Sequence, residues 1–337
     1  MLNSRYKNDG KSIIPLKGKQ KKAKREIINK FLRGEFNHVA RDCVCGAEEF
    51  ELLSEKDAYG LPCAVVICKQ CGLIQVNPCP DKQTLNNFYQ EYYNKLYDDK
   101  MAYDTAFYTM SIRGESIIEY IASITPDFNK VLEIGCNVGG ILNAFKSYGC
   151  CVHGVDLEKN AVDYAKSKGI SVECGSAKGI KEKYDVIVLC HVLEHFFDIS
   201  EELSAIKNLL NDNGILYIEV PGIYSSLGNI QFDFLDFIEF DHLYYFSLKS
   251  LSNVMRINGF TIVKGDEPTG ACIRLVVKKD KNAENQTTTN LYNETLNRLN
   301  YLEEQFQKQK LKHYIFRILK AMPMGLKLKI KNIIKTR

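Results

Sequence analysis

Residues 126–280 read as an α/β fold with a mostly parallel sheet and helices on both faces. From residue 130 short apolar strands alternate with helical stretches, VLEI at 131–134 runs straight into glycines, and the last two strands have no helix between them.

In chain order the expected elements are a strand at 130–134, a helix at 139–148, a strand at 151–155, a helix at 158–168 and a strand at 171–173. They continue with a strand at 184–190, a helix at 201–210, a strand at 214–220, a helix at 248–258, and strands at 259–264 and 272–278. Strand–helix alternation implies parallel pairing, and the final pair, lacking a helix, implies an antiparallel hairpin.

Around this domain lie four other stretches. Residues 1–36 are a basic tail, 37–80 a cysteine-punctuated module, 81–125 an aromatic helical lid ending at Thr125 and Pro126, and 281–337 a polar linker followed by a basic helical tail. The net charge of +4 conceals a division. Residues 1–34 hold 11 basic and 2 acidic side chains, residues 291–337 hold 11 and 3, and the middle holds 23 and 36, so the ends carry +9 and +8 and the middle −13. An acidic body argues against nucleic acid as a partner of the central domain, while the basic ends suit solvated tails or contact with phosphates or anionic lipid. Leu326, Ile330, Ile333 and Ile334 form one stripe of a short basic helix fit either for peripheral membrane contact or for packing on the body or a second copy of the chain. No apolar run reaches the roughly 18 residues of a membrane span and no signal-peptide stretch opens the chain, so a cytoplasmic location with reduced thiols is expected.

In VLEIGCNVGG (131–140) a buried strand enters a glycine turn and then a helix, which brings backbone close to a ligand and aims helix N-terminal amides at it. Gly135 and Gly139 are the turn and approach positions. Asp156, 21 residues after Gly135, ends the next strand, where a carboxylate takes the hydroxyls of an adenosine ribose. Asn137 occupies the middle glycine position of a dinucleotide fingerprint, where its side chain would crowd a pyrophosphate. That disfavours a nicotinamide-dependent oxidoreductase.

EIGCNVGG, VDLEKNAVDYA, KYDVIVLCHVLEHFFD and GILYIEVP resemble, in order and spacing, the successive motifs of class I S-adenosylmethionine-dependent methyltransferases. The resemblance implies a Rossmann-like seven-stranded sheet closed by an antiparallel hairpin. It places Glu133, Gly135 and Gly139 around the methionine portion of the cofactor, Asn137 among the cofactor-binding residues of the same turn, Asp156 at the ribose, and Cys190 with His191 on its far side. Ser176 stands where such enzymes usually carry an acid toward adenine.

Methyl transfer from a sulfonium is an in-line displacement in which the acceptor hydroxyl loses its proton, a task suited to a histidine held by a carboxylate. FDHLYYFS (240–247) offers Asp241 and His242 and is similar to the E-H-x-x-Y stretch of sugar C-methyltransferases, with Glu239 at the place of their tyrosine. His195 belongs to HVLEH (191–195), which also matches the H-x-x-E-H pattern of a zinc protease. Its position directly after a strand favours a loop lining the cofactor cleft, where His195 either fastens the loop or touches substrate.

Cys43-x-Cys45-Gly46 and Cys68-x-x-Cys71-Gly72 are two pairs each followed by glycine. The second has the spacing of a zinc knuckle, and the first is one residue short. With IQVNPCP and FYQEYY after them, they resemble the N-terminal zinc module of sugar methyltransferases, implying one structural zinc held by Cys43, Cys45, Cys68 and Cys71; metal-free packing is the alternative. The resemblance points to a saccharide acceptor, a nucleotide sugar or surface glycan. O-methylation leads C-methylation, because only 57 residues follow position 280 where sugar C-methyltransferases carry a further large domain. A non-catalytic binding protein and a homo-oligomer stay open.

Overall fold

The computed structural model describes residues 1–97, 101–224, 233–268, 272–280 and 288–321, from 311 onward as helix backbone alone. The first part holds α1 (Gly18–Leu32), β1 (His38–Val39), β2 (Phe50–Lys56), β3 (Pro62–Cys68), β4 (Ile74–Val76), β5 (Cys79–Pro80), α2 (Lys82–Glu91), α3 (Tyr93–Leu96) and α4 (Tyr103–Ala122). The second holds β6 (Lys130–Ile134), α5 (Gly140–Tyr148), β7 (Cys151–Asp156), α6 (Lys159–Ser167), β8 (Val172–Cys174), β9 (Tyr184–Cys190), α7 (Ile199–Leu209) and β10 (Leu210–Val220). Then follow α8 (Phe234–Phe237), β11 (Tyr244–Tyr245), α9 (Leu248–Ile257), β12 (Phe260–Asp266), β13 (Ile273–Lys279) and α10 (Tyr292–Ala321).

Seven strands form one sheet in the order β8-β7-β6-β9-β10-β13-β12, parallel except for β13, which runs antiparallel to both neighbours. The expected hairpin is present, and each expected element lies within a few residues of its place. The chain steps outward from β6 to β8 and returns to start β9 on the other side of β6, so the loops after β6 and β9 flank the reversal point where open sheets bind ligands. Near-continuous apolar runs in β6, β9 and β10 reflect burial on both faces. One face packs Val131, Val186, Val188 and Tyr217 against Ile117, Ile121 and Phe145 of α4 and α5, and the other packs Leu132, Ile187, Leu189 and Leu216 against Leu203 and Ile206 of α7.

Two expected regions divide differently in space. Residues 1–36 are not a solvated tail. Tyr6, Ala23, Ile27 and Phe36 are buried, and α1 shares a cluster with Phe88, Tyr92 and Leu96. Arg5 reaches Asp233 at 2.5 Å and Glu303 of α10 at 2.6 Å, while Tyr6 donates to Glu303 at 2.9 Å. The chain's basic start is thus partly neutralised by acids distant in sequence, and burying a ring such as Tyr6 contributes roughly 2–3 kcal/mol. The aromatic lid likewise divides: α2 and α3 join α1, whereas α4 lies on α5 as part of the sheet's helical layer. In the C-terminal region α10 buries Leu299 and Leu302 against the main core. The stripe at 326–334 lies outside the described residues. No helix among the described residues is long and apolar enough to cross a membrane.

Candidate active site

The loop after β6 is built for close approach. Gly135 has φ 73° and a Cβ there would strike the side chain of Val192, while Gly139, at φ 78°, caps α5 in the left-handed region that favours glycine. Asn137 also takes positive φ (45°), a conformation asparagine tolerates, and its Oδ1 accepts the Val138 amide at 2.8 Å. Asp156 at the tip of β7 accepts the Asn137 amide at 2.7 Å and the Glu158 amide at 2.8 Å, and burial raises its pKa. Glu133 is buried with Oε2 lacking a hydrogen-bond partner, and burial, then the Asp156 charge, pushes its carboxyl well above the usual range. An orphan carboxyl beneath a glycine turn fits a polar ligand such as the sulfonium cofactor's amino-acid end. Ser176 is exposed after β8, next to Gly175, whose amide bonds Asp156 O at 2.9 Å. The first turn of α4 straps this edge: Tyr103 donates to Glu158 at 3.0 Å, and Asp104 accepts from Tyr164 at 2.6 Å and Lys168 at 3.0 Å.

The loop after β9 brings the histidines in. Val192, against Gly135, accepts the His195 amide at 3.0 Å, and Leu243 N donates to Glu194 O at 2.8 Å, which fastens this loop to the one carrying Asp241 and His242. The rings of His195 and His242 lie 4.8 Å apart, edge to face.

The carboxylate partners differ from the sequence expectation. Asp241 pairs with His195 rather than with His242: its Oδ2 stands 3.3 Å from His195 Nδ1, its main-chain oxygen 3.1 Å from the same nitrogen, and its Oδ1 accepts from Tyr97 at 2.5 Å. His242 lies beside Glu239, Nε2 to Oε2 3.5 Å. Adjacent residues in a turn diverge, so the aspartate faces the neighbouring loop. Burial opposes charge on His195 but Asp241 outweighs it, raising His195 to about 9; burial and the His195 charge push His242 down to about 4. Burial and the Asp241 charge lift Glu239 to about 8.

The zinc-protease pattern does not hold. β9 ends at Cys190, His191 has φ 56°, and only Leu193–His195 forms a short 3-10 turn, so the two histidines are not a helical pair. His191 instead receives a hydrogen bond from Arg113 of α4 (Nη2 to Nε2, 2.9 Å), and Arg113 also binds Glu219 at 2.5 Å. Tyr217 donates to the other oxygen of Glu219 at 2.7 Å. Arg113, Ser116, Glu219, Pro268, Cys272 and Arg274 line a cavity of about 370 Å³ at this edge. Nothing in the sequence marks Arg113 or Glu219, because their pairing spans more than a hundred residues.

Away from this edge, Cys43, Cys45, Cys68 and Cys71 converge. Cys43 Sγ lies 3.5 Å from Cys71 Sγ, Cys45 Sγ 3.7 Å from Cys68 Sγ, and all four fall within 4.8 Å of one another. Thiolates about 2.3 Å from a tetrahedral zinc stand roughly 3.8 Å apart, so the donor set fits that ion. The shortened first pair still closes its turn, with Gly46 N donating to Cys43 O at 2.7 Å as Gly72 N donates to Cys68 O at 2.9 Å.

Residues 105–264 match the family described as "Methyltransferase domain". The chain is similar to the C-methyltransferase NovU of Streptomyces niveus, 28% identical over 236 residues covering 63% of this chain and 50% of that protein. It is also similar to the ubiquinone biosynthesis O-methyltransferase of Bartonella bacilliformis, 29% identical over 98 residues, 26% of this chain and 40% of that one. Thus it spans half or less of the length of these relatives. Among solved structures, the chain is similar to the magnesium protoporphyrin IX methyltransferase of Synechocystis PCC 6803 with bound SAH, over 59% of this chain and all of that one, with 16% identity and a TM-score of 0.45. The family match over residues 105–264, together with the glycine turn and its strand-end acid, identifies this part of the chain as a methyltransferase domain that uses S-adenosylmethionine.

Proposed function

We propose that this chain transfers a methyl group from S-adenosylmethionine to a hydroxyl of a saccharide, a nucleotide sugar or a surface glycan. The carrying observation is the contact of the Gly135 turn with Val192, which sets the cofactor loop against the loop bearing His195, itself fastened to the loop bearing His242. Glu133, Gly135, Asn137 and Gly139 hold the methionine end, Asp156 the ribose, Ser176 the adenine side, and Cys190 with His191 the far wall. The bound cofactor supplies an electrophilic methyl on sulfur. Protein groups orient the acceptor for in-line attack, and its proton leaves through the cluster of His242, Asp241 and His195. The charged side chains of Arg113, Glu219 and Arg274 on the cavity beside His191 offer hydrogen-bond partners to a hydroxyl-bearing acceptor. The four cysteines hold one structural zinc.

C-methylation is the second reading, favoured by the similarity to the Streptomyces C-methyltransferase. A panel of nucleotide sugars and glycans with a labelled methyl donor tests both. Methyl ether products support the first reading, carbon-bound methyl groups the second, and binding of NAD without S-adenosylhomocysteine overturns both.

A further inference from the structure

Beside the cofactor loop lies a donor set that hydrogen bonding leaves unsatisfied. Glu194 is 1% exposed and neither of its carboxylate oxygens accepts a hydrogen bond; the nearest donor, His191 Nδ1, stands 3.5 Å from Oε1. A buried carboxylate whose ion-pair partner stands beyond good hydrogen-bond distance is under-satisfied and can take a cation. One ligand atom each from Glu194, His195 and His242 lies within 4.8 Å of the others. The histidines are also held as metal ligands are held. Nδ1 of His195 faces two oxygens of Asp241 and the Tyr89 hydroxyl, so its hydrogen sits there and Nε2 is the nitrogen an ion would take by displacing the second proton, while Nε2 of His242 faces Glu239, which leaves Nδ1. Asp241 is in turn fixed by Tyr97.

We infer that Glu194, His195 and His242 form a binding site for a divalent first-row transition metal, separate from the four cysteines. Two imidazoles and one carboxylate leave open positions and suit manganese, iron, cobalt or zinc, whereas four thiolates select soft or borderline ions and do not retain manganese. The site itself stands on this geometry; its catalytic consequence rests on the methyl-transfer reading. There, ligation of the acceptor oxygen makes its hydroxyl acidic. The proton leaves through the Asp241 side of that cluster to solvent, the oxygen lone pair forms the new C–O bond, and the electron pair of the broken C–S bond stays on sulfur.

The test is metal analysis of the purified full chain followed by titration with Mn²⁺, read by the paramagnetic resonance of the free ion. One transition metal per chain is expected beyond that held by the cysteines, either present on purification or taken up as Mn²⁺. Glu194→Gln and His195→Gln should each weaken Mn²⁺ binding at least about tenfold, and Asp241→Asn should weaken it by a smaller factor, roughly the effect of losing a supporting hydrogen bond. Calorimetry with S-adenosylhomocysteine on the same preparations verifies that each variant is folded and tests the cofactor reading separately. No second metal with no Mn²⁺ uptake, or uptake unchanged in both Glu194→Gln and His195→Gln, overturns the site.

Discussion

Arg113 Nη2 lies 2.9 Å from Nε2 of His191, and because a guanidinium only donates, His191 accepts there and carries its hydrogen on Nδ1, toward Glu194. One arginine from α4 thus sets the tautomer of a residue held at φ 56° on the loop that joins the cofactor turn to the histidine cluster. Arg113→Ala leaves Glu219 buried without its cation. It should cost about 2–3 kcal/mol in urea unfolding, below the full penalty of a buried pair because the arginine is partly exposed. A variant as stable as the parent would show that Tyr217 alone satisfies Glu219.

S-adenosylhomocysteine should raise the melting temperature, corresponding to about 2.7 kcal/mol at a hundredfold excess over its dissociation constant. NAD should have no effect. Asp156→Ala should abolish most of the shift, since Asp156 organises the Asn137 amide and is the residue proposed for the ribose.

About one zinc per chain should copurify with the cysteine module, and Cys68→Ser or Cys71→Ser should lose it. Because Cys68 and Cys71 belong to the same core as β9 and β10, the loss should lower the unfolding midpoint, while cofactor affinity in the folded fraction stays within a few-fold. Metal analysis and calorimetry check the two halves independently.

Asp57 provides a pH signature. Fully buried, it accepts the Leu61 amide at 2.7 Å through Oδ1 while Oδ2 has no hydrogen-bond partner, and burial lifts its carboxyl to about 7. The native state therefore binds the proton more tightly than the unfolded chain, so stability falls as pH rises from about 4 to about 7, and the penalty is fully present above that. Asp57→Asn keeps an acceptor and removes the charge. It should stabilise by about 2–4 kcal/mol at pH 8 and by little at pH 4.5, measured by denaturant unfolding. An equal effect at both values would place the Asp57 carboxyl in its ordinary range.

His242→Ala should lower turnover by roughly 10² to 10⁴ while leaving S-adenosylhomocysteine affinity within a few-fold, because His242 stands beside His195 in the cluster proposed for the acceptor and not in the glycine turn. Single-turnover kinetics with the acceptor found in the panel measures it. Undiminished turnover would confine His242 to fastening its loop.

The succession of strands and helices, the antiparallel hairpin and the glycine turn followed by Asp156 were legible in the sequence because each is written in local periodicity or fixed spacing: 2.0 for strands, 3.6 for helices, one strand-turn-helix between Gly135 and Asp156. The four cysteines were legible for the same reason, since two turns each carry their own pair. Which carboxylate holds which histidine was decided only by tertiary structure. Asp241 and His242 are neighbours in the chain, yet the turn sends the aspartate to His195, 46 residues earlier, and the histidine to Glu239. The same holds for Arg113 with Glu219 and for Arg5 with Asp233 and Glu303, charges that pair across 106, 228 and 298 residues. Spacing encodes which groups share a helix or a turn, but a contact between loops depends on how the sheet and its covering layers bring separate elements together, and no periodicity records that.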